Sequence, residues 1–120
     1  ITLATTTQVL SIGNGEIQSG LIDPADFGIS KAPISALVGG DAKENAEIAM
    51  RIFNGERGAP RDAVVLNASA AIAAYNGDLD YDLKTRLVAG VDAARQAIDS
   101  GAAKDLLNRW IKLTQALVKS

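Results

Sequence analysis

The sequence predicts an α/β chain in which one β-hairpin is followed by four helices. Three observations carry this. Two β-prone runs flank an Asn-Gly pair, apolar residues then recur at helical spacing, and Gly, Pro and Asn punctuate the chain where each helix should stop. A chain of 120 residues is enough for one compact unit, able to bury roughly two-thirds of its unfolded surface.

The hairpin is expected over about 5–22, from Gln8-Val9-Leu10-Ser11-Ile12 and Glu16-Ile17-Gln18-Ser19-Gly20-Leu21-Ile22 with Gly13-Asn14-Gly15 between them. Asn-Gly tolerates the positive φ values that a two-residue turn demands. Asp23-Pro24-Ala25-Asp26 then turns the chain, because Pro24 presets φ and Asp23 can bond nearby backbone N–H groups.

The first helix is expected over about 41–54, with Ala46, Ala49, Met50 and Phe53 as its core stripe and Lys43, Glu44, Glu47 and Arg51 in water. Asn54-Gly55 ends it. The second, about 60–75, starts at Pro60, where a missing N–H is harmless, and runs through "AVVLNASAAIAAY". It is apolar almost all round, so a central helix packed on several sides is expected. The third, about 82–99, places Leu83, Leu87, Val91, Ala94 and Ile98 on one face, with Gly101 beyond its end. The fourth, about 102–118, places Leu106, Trp110, Leu113 and Leu117 inward. There is no repeat, linker or low-complexity tract, so a single unit is expected over 1–120. A two-stranded hairpin is marginal alone, so it wants a larger sheet to join.

Composition narrows the chemistry. The chain is 48% hydrophobic and 22% charged with a net charge of −2, which gives no electrostatic reason to expect nucleic acid or an anionic membrane as partner. It has no Cys and no His, which removes disulfides, thiolate metal sites, the usual neutral-pH general base and most zinc sites. Carboxylates, lysines, arginines and hydroxyls remain. No apolar run reaches the roughly 18 residues of a membrane span, and the start lacks the basic and apolar regions of a signal peptide. The opening "ITLATTTQVL" is strand-like from its first residue and has no initiator Met, so processing or a longer parent chain is expected.

Each candidate for chemistry competes with a plainer structural role. Asp78-Leu79-Asp80-Tyr81-Asp82 has the rhythm of a calcium loop, but the loop requires Gly and a bidentate Glu where this chain has Leu83 and Ala89. An acidic turn in which Asp80 or Asp82 caps the third helix is preferred. Arg57 and Arg61 flank "GERGAPRD" and could grip a phosphate, yet Glu56 and Asp62 stand beside them as partners. Asn67 lies on the apolar helix, so it is expected to be buried and to tie a neighbouring backbone. Thr5, Thr6 and Thr7 suit a strand as well as a cleft. Arg109, Lys112 and Lys119 read as the solvated side of the last helix.

"GGDAKENAEI" at 39–48 poses the sharpest choice, because two glycines entering a helix can cradle a phosphate. Asp41 and Glu44 instead form an Asp-x-x-Glu capping pattern, and a phosphate there would meet two carboxylates. A self-capped helix start is preferred.

Five segments together resemble the C-terminal part of the anthranilate phosphoribosyltransferases. They are "NGEI" at 14–17, "DPADFGI" at 23–29, "GGDAKENAEI" at 39–48, "APRDAVVLNASAAI" at 59–72 and "AIDSGAA" at 97–103, in the family's order and spacing. The resemblance implies the tail of a mainly parallel-sheet α/β domain, with the helical domain and the first part of the α/β domain upstream. It implies a cytoplasmic, homodimeric, magnesium-dependent enzyme of tryptophan biosynthesis that moves the phosphoribosyl group of 5-phosphoribosyl diphosphate to anthranilate. It also implies that the glycine-rich diphosphate loop, the anthranilate contacts, the magnesium-binding Asp-Glu pair and the dimer helices all precede Ile1. No catalytic, substrate-binding or metal-binding residue is therefore assigned within this chain, and the segment alone is expected to be inactive. The pyrimidine nucleoside phosphorylases, which share the two-domain plan, and a non-catalytic helical interaction module are the other readings.

Overall fold

The structure is a computed structural model that describes residues 1–118. Strand β1 (Thr7–Gly13) and strand β2 (Glu16–Ile22) pair antiparallel, in register from Thr7 opposite Ile22 to Gly13 opposite Glu16. Asn14 (φ 50°) and Gly15 (φ 78°) make the two-residue turn, and both occupy the left-handed region that Asn-Gly accepts. After β2, Pro24–Phe27 forms one short 3-10 turn closed by a reciprocal cap. Asp23 accepts from the Ala25 N–H at 3.0 Å, and Asp26 accepts from the Asp23 N–H at 3.4 Å. A second such turn covers Ile34–Leu37.

Helices α1 (Ala42–Phe53), α2 (Ala59–Asn76), α3 (Leu83–Asp99) and α4 (Ala102–Val118) follow, all within one residue of the expected bounds. No helix among the described residues is long and apolar enough to cross a membrane.

The core lies where α2 crosses α3. Val65, Leu66, Ser69 and Ala73 meet Leu87, Gly90, Val91, Ala94 and Ile98, and Leu3, Ile22, Phe27, Ile29 and Ile52 close the ends. Gly90 sits at the crossing itself, where a Cβ would drive into the Ser69 backbone carbonyl. Ser69 is fully buried and donates to the Leu66 carbonyl at 2.7 Å, so its hydroxyl is not left unpaired.

Three expectations need correction. In α1 the inward residues are Ile48, Ile52 and Phe53, and Ala46 is exposed. The periodic pattern admits two adjacent faces, and the bulkier Ile48–Ile52 pair takes the core because it buries more apolar surface. Helix α2 packs mainly along one side, on α3, while Val64, Asn67, Ala71, Ala74 and Tyr75 are exposed. In α4 the stripe Leu106, Trp110, Leu113 and Leu117 is 59% to 65% exposed, because α4 touches α3 and α1 and carries no buried residue. The stripe has the spacing expected of it, but among the described residues Leu106, Trp110 and Leu113 stay largely exposed. The outward face of the hairpin is open in the same way. Leu10, Ile12, Ile17 and Leu21 are 61% to 73% exposed there, on a sheet of only two strands.

Candidate functional site

The "GGDAKENAEI" loop is closed by its own side chains. Asp41 Oδ1 accepts from the Glu44 N–H at 2.8 Å, which makes it the N-cap of α1 as the sequence predicts. The reciprocal bond of a capping box is not made. The Glu44 carboxylate instead lies over Gly40, where it would meet a Cβ, and Asn45 Oδ1 does the same at Gly39. Asn45 also grips Gly40 from both sides, accepting from its N–H at 3.1 Å and donating to its carbonyl at 2.9 Å. The two glycines therefore make room for Glu44 and Asn45, and a phosphate would have to displace both.

Asp82, rather than Asp80, caps α3. It accepts from the Thr85 N–H at 3.0 Å and from the Thr85 hydroxyl at 2.6 Å. Those bonds, the hydroxyl's first, hold its carboxyl below the ordinary carboxylate range. Asp78 and Asp80 are exposed beside it.

Arg57 and Arg61 take a partner that local sequence does not offer. Arg61 is only 2% exposed and donates through Nη2 to Asp99 Oδ1 at 2.7 Å. Arg57 approaches the other Asp99 oxygen at 3.8 Å. Glu56, expected as a neighbour's partner, pairs with Arg51 at 3.2 Å. The link joins the start of α2 to the end of α3, so "APRDAV" and "AIDSGAA" are two halves of one contact. Nη1 of Arg61 is buried without a hydrogen-bond partner.

Asn67 makes the backbone tie expected of it but is exposed rather than buried, since its side of α2 carries no neighbouring element. Its Oδ1 accepts from the Ile1 nitrogen at 2.7 Å, and its Nδ2 donates to the Ile1 carbonyl at 2.8 Å and to the Ala63 carbonyl at 2.9 Å. Thr7 Oγ1 accepts from the Thr2 N–H at 3.3 Å, whereas Thr5 and Thr6 stand exposed in the bend before β1. Arg109 and Lys112 are exposed on α4, and Lys119 lies outside the described residues.

Some structurally active residues escaped the sequence reading. Lys31 pairs with Asp23 at 2.6 Å and Lys84 with Asp26 at 2.8 Å, and each lysine's hydrogen bond is the main reason its carboxyl sits below the ordinary range. Arg95 reaches the Phe27 carbonyl at 3.1 Å. Arg86 is nine-tenths buried and donates to Ser11 Oγ at 3.1 Å and to the Ala73 carbonyl at 3.2 Å. Helical spacing could have found it, because 86 falls on the same face as Leu83, Leu87 and Gly90.

The polar groups thus brought together act in caps, ties and ion pairs. Thr5, Thr6, Arg109 and Lys112 are not gathered into a common site. Among the described residues no group of three or more Asp, Glu, His or Cys side chains is placed to hold a metal ion.

Comparison with known proteins accounts for such a scaffold. Residues 1–104 match the model of the glycosyl transferase family, a/b domain. An anthranilate phosphoribosyltransferase of a Nocardioides species is 47% identical over 114 residues, covering 95% of this chain and 33% of the relative. One from Rhodococcus jostii is 46% identical over 120 residues, covering 100% of this chain and 33% of the relative. In three dimensions, the crystal structure of anthranilate phosphoribosyltransferase from Thermus thermophilus superposes with a TM-score of 0.78 at 34% identity, over 93% of this chain and 31% of that one. The chain spans about a third of the length of the relatives it matches. With a family model matched over 1–104 and a hairpin-plus-four-helix fold shared with a solved relative, the chain belongs to the glycosyl transferase family, as part of its a/b domain.

Proposed function

We propose that this chain is the C-terminal part of an anthranilate phosphoribosyltransferase of tryptophan biosynthesis. The observation that carries the reading is the 46% identity to the Rhodococcus jostii relative across the whole of this chain. In the reaction, the anthranilate amine bonds to the anomeric carbon of 5-phosphoribosyl diphosphate. The bond to pyrophosphate breaks with its electron pair, and the amine gives up a proton. Such a transfer needs positioning and charge stabilisation of the leaving group more than a strong base, and a chain without His or Cys is compatible with it.

The reacting groups belong to the upstream portion on this reading: the diphosphate loop, the anthranilate contacts and the carboxylates for magnesium. The described residues gather no acidic cluster for that ion, which when bound would offset the charge of the leaving pyrophosphate. This chain supplies scaffold. Its two-stranded sheet and open apolar faces on the hairpin and α4 support a role as part of a larger body, because contiguous exposed apolar surface marks an interface. Homodimerisation through upstream helices and a cytoplasmic location belong to the same proposal. The relatives do not favour the pyrimidine nucleoside phosphorylase or interaction-module readings.

The coding sequence before Ile1 tests the assignment. It should encode an Asp-Glu pair immediately upstream and a glycine-rich loop farther back, and the full-length product should consume anthranilate only when 5-phosphoribosyl diphosphate is present. An upstream sequence with neither motif contradicts the proposal.

A further inference from the structure

A cleft of about 350 Å³ runs between the inner face of the hairpin and the α2–α3 pair. Its wall is mostly apolar, including Val9, Ala70, Ala73, Leu79 and Leu83, and its charged lining residue is Arg86. The volume falls in the range of small-molecule sites.

Arg86 is nine-tenths buried, and its guanidinium has no carboxylate within ion-pair distance among the described residues. Its two terminal nitrogens donate to neutral acceptors, Ser11 Oγ at 3.1 Å and the Ala73 carbonyl at 3.2 Å, and its Nε is buried with no partner. The Ala73 carbonyl lies in the last turn of α2, so the negative end of that helix offsets part of the charge. It does not satisfy Nε. A buried cation without a counter-ion is strongly unfavourable, and an orphaned donor beside it adds to the cost. A second cavity of about 200 Å³, on the Tyr81 and Thr85 side, is also lined by Arg86, and Asp78 lines it without forming an ion pair.

We propose that this cleft is a carboxylate-binding site in which Arg86 takes the carboxylate through Nε and the apolar walls hold an aliphatic or aromatic body. A guanidinium suits this because its planar edge presents parallel donors to a carboxylate. The carboxylate has two possible sources, a free small acid or an Asp or Glu side chain from the upstream part of the full-length chain. The inference does not depend on the reaction proposed above.

The test uses the full-length protein with ¹⁵N-labelled arginine. The Arg86 Nε–H resonance is assigned by its absence in Arg86→Lys, and cyclohexanecarboxylate is titrated against its uncharged amide. With a free acid as the natural occupant, the acid shifts that resonance saturably, the amide does not, and Arg86→Lys weakens binding about tenfold or more. With a side chain as occupant, the resonance shows a carboxylate hydrogen bond before any addition. It returns to the shift of an uncharged environment when the upstream Asp or Glu in contact with it is changed to its amide. A resonance that shows no carboxylate bond and responds to neither compound overturns the proposal, as does acid binding that leaves it unmoved. If Arg86→Lys fails to fold, the contrast between acid and amide on the unmodified protein still decides.

Discussion

Replacing Asp99 by Asn tests the claim that Arg61 and Asp99 form the clasp between α2 and α3. The substitution keeps the shape and removes the charge from an oxygen 2.7 Å from a guanidinium that is only 2% exposed. Removing one partner of a wholly buried pair costs about 3–5 kcal/mol, because the other charge stays buried. Fully exposed pairs contribute about 0–1 kcal/mol. Asp99 is 44% exposed, so its own desolvation is partial, and the expected loss lies between these limits at about 2 kcal/mol. The 3.8 Å approach of the exposed Arg57 adds nothing measurable. With a urea m-value of about 2 kcal/mol/M, the midpoint of unfolding should fall by about 1 M. In an Arg61→Met background the same change should cost less than about 0.5 kcal/mol, since no buried charge is left to strand. An equal loss in both backgrounds, or a midpoint unmoved in the parent, refutes the clasp.

Gly90→Ala should destabilise the chain by about 1–3 kcal/mol or more, read by thermal unfolding, because its Cβ meets the Ser69 backbone and not a side chain that can move aside. Asp23, Asp26 and Asp82 have lowered carboxyl pKa values in the folded chain, so each contributes stability that is present above the ordinary value of 3.8 and lost as pH falls through the folded value. Lys84→Met should raise the Asp26 carboxyl pKa toward 3.8 in an NMR titration, and an unmoved value contradicts the pairing. Trp110, the one tryptophan of the sequence, should emit as a water-exposed indole and quench readily with acrylamide in the isolated chain. In that chain Leu106→Glu and Leu113→Glu should leave stability within about 0.5 kcal/mol, as for other exposed positions.

Features decided by local chemistry were legible in the sequence. Asn14-Gly15, the Asp41 cap and the ends of the first three helices depend on residues a few positions apart, and each is where the sequence places it. Faces were harder, because a periodic pattern gives a stripe without its partner. In α1 the stripe was read through Ala46, and Ile52 rather than Ala46 reached the core. In α4 the stripe has the expected spacing, but among the described residues Leu106, Trp110 and Leu113 stay largely exposed.

Long-range polar pairing was the least legible. Arg61 finds Asp99 across 38 positions, and nothing near Arg61 announces it. Arg86 reads as a solvated charge until its place on the α3 core face is counted. No site residue was legible within this chain, and the sequence pointed to a site only through the family resemblance carried by five segments. Each of the five has structural work: a hairpin turn, a capped 3-10 turn, a self-closed helix start and the two ends of a clasp.

Fragment complementation decides whether catalysis needs the upstream part. The loss of anthranilate fluorescence is followed with 5-phosphoribosyl diphosphate and magnesium present, first for this chain alone and then after co-expression with the upstream two-thirds of its own gene. No turnover is expected from the chain alone, and restored turnover from the pair. Turnover by the isolated chain, or none from the pair once the two parts are shown to associate, would contradict this expectation.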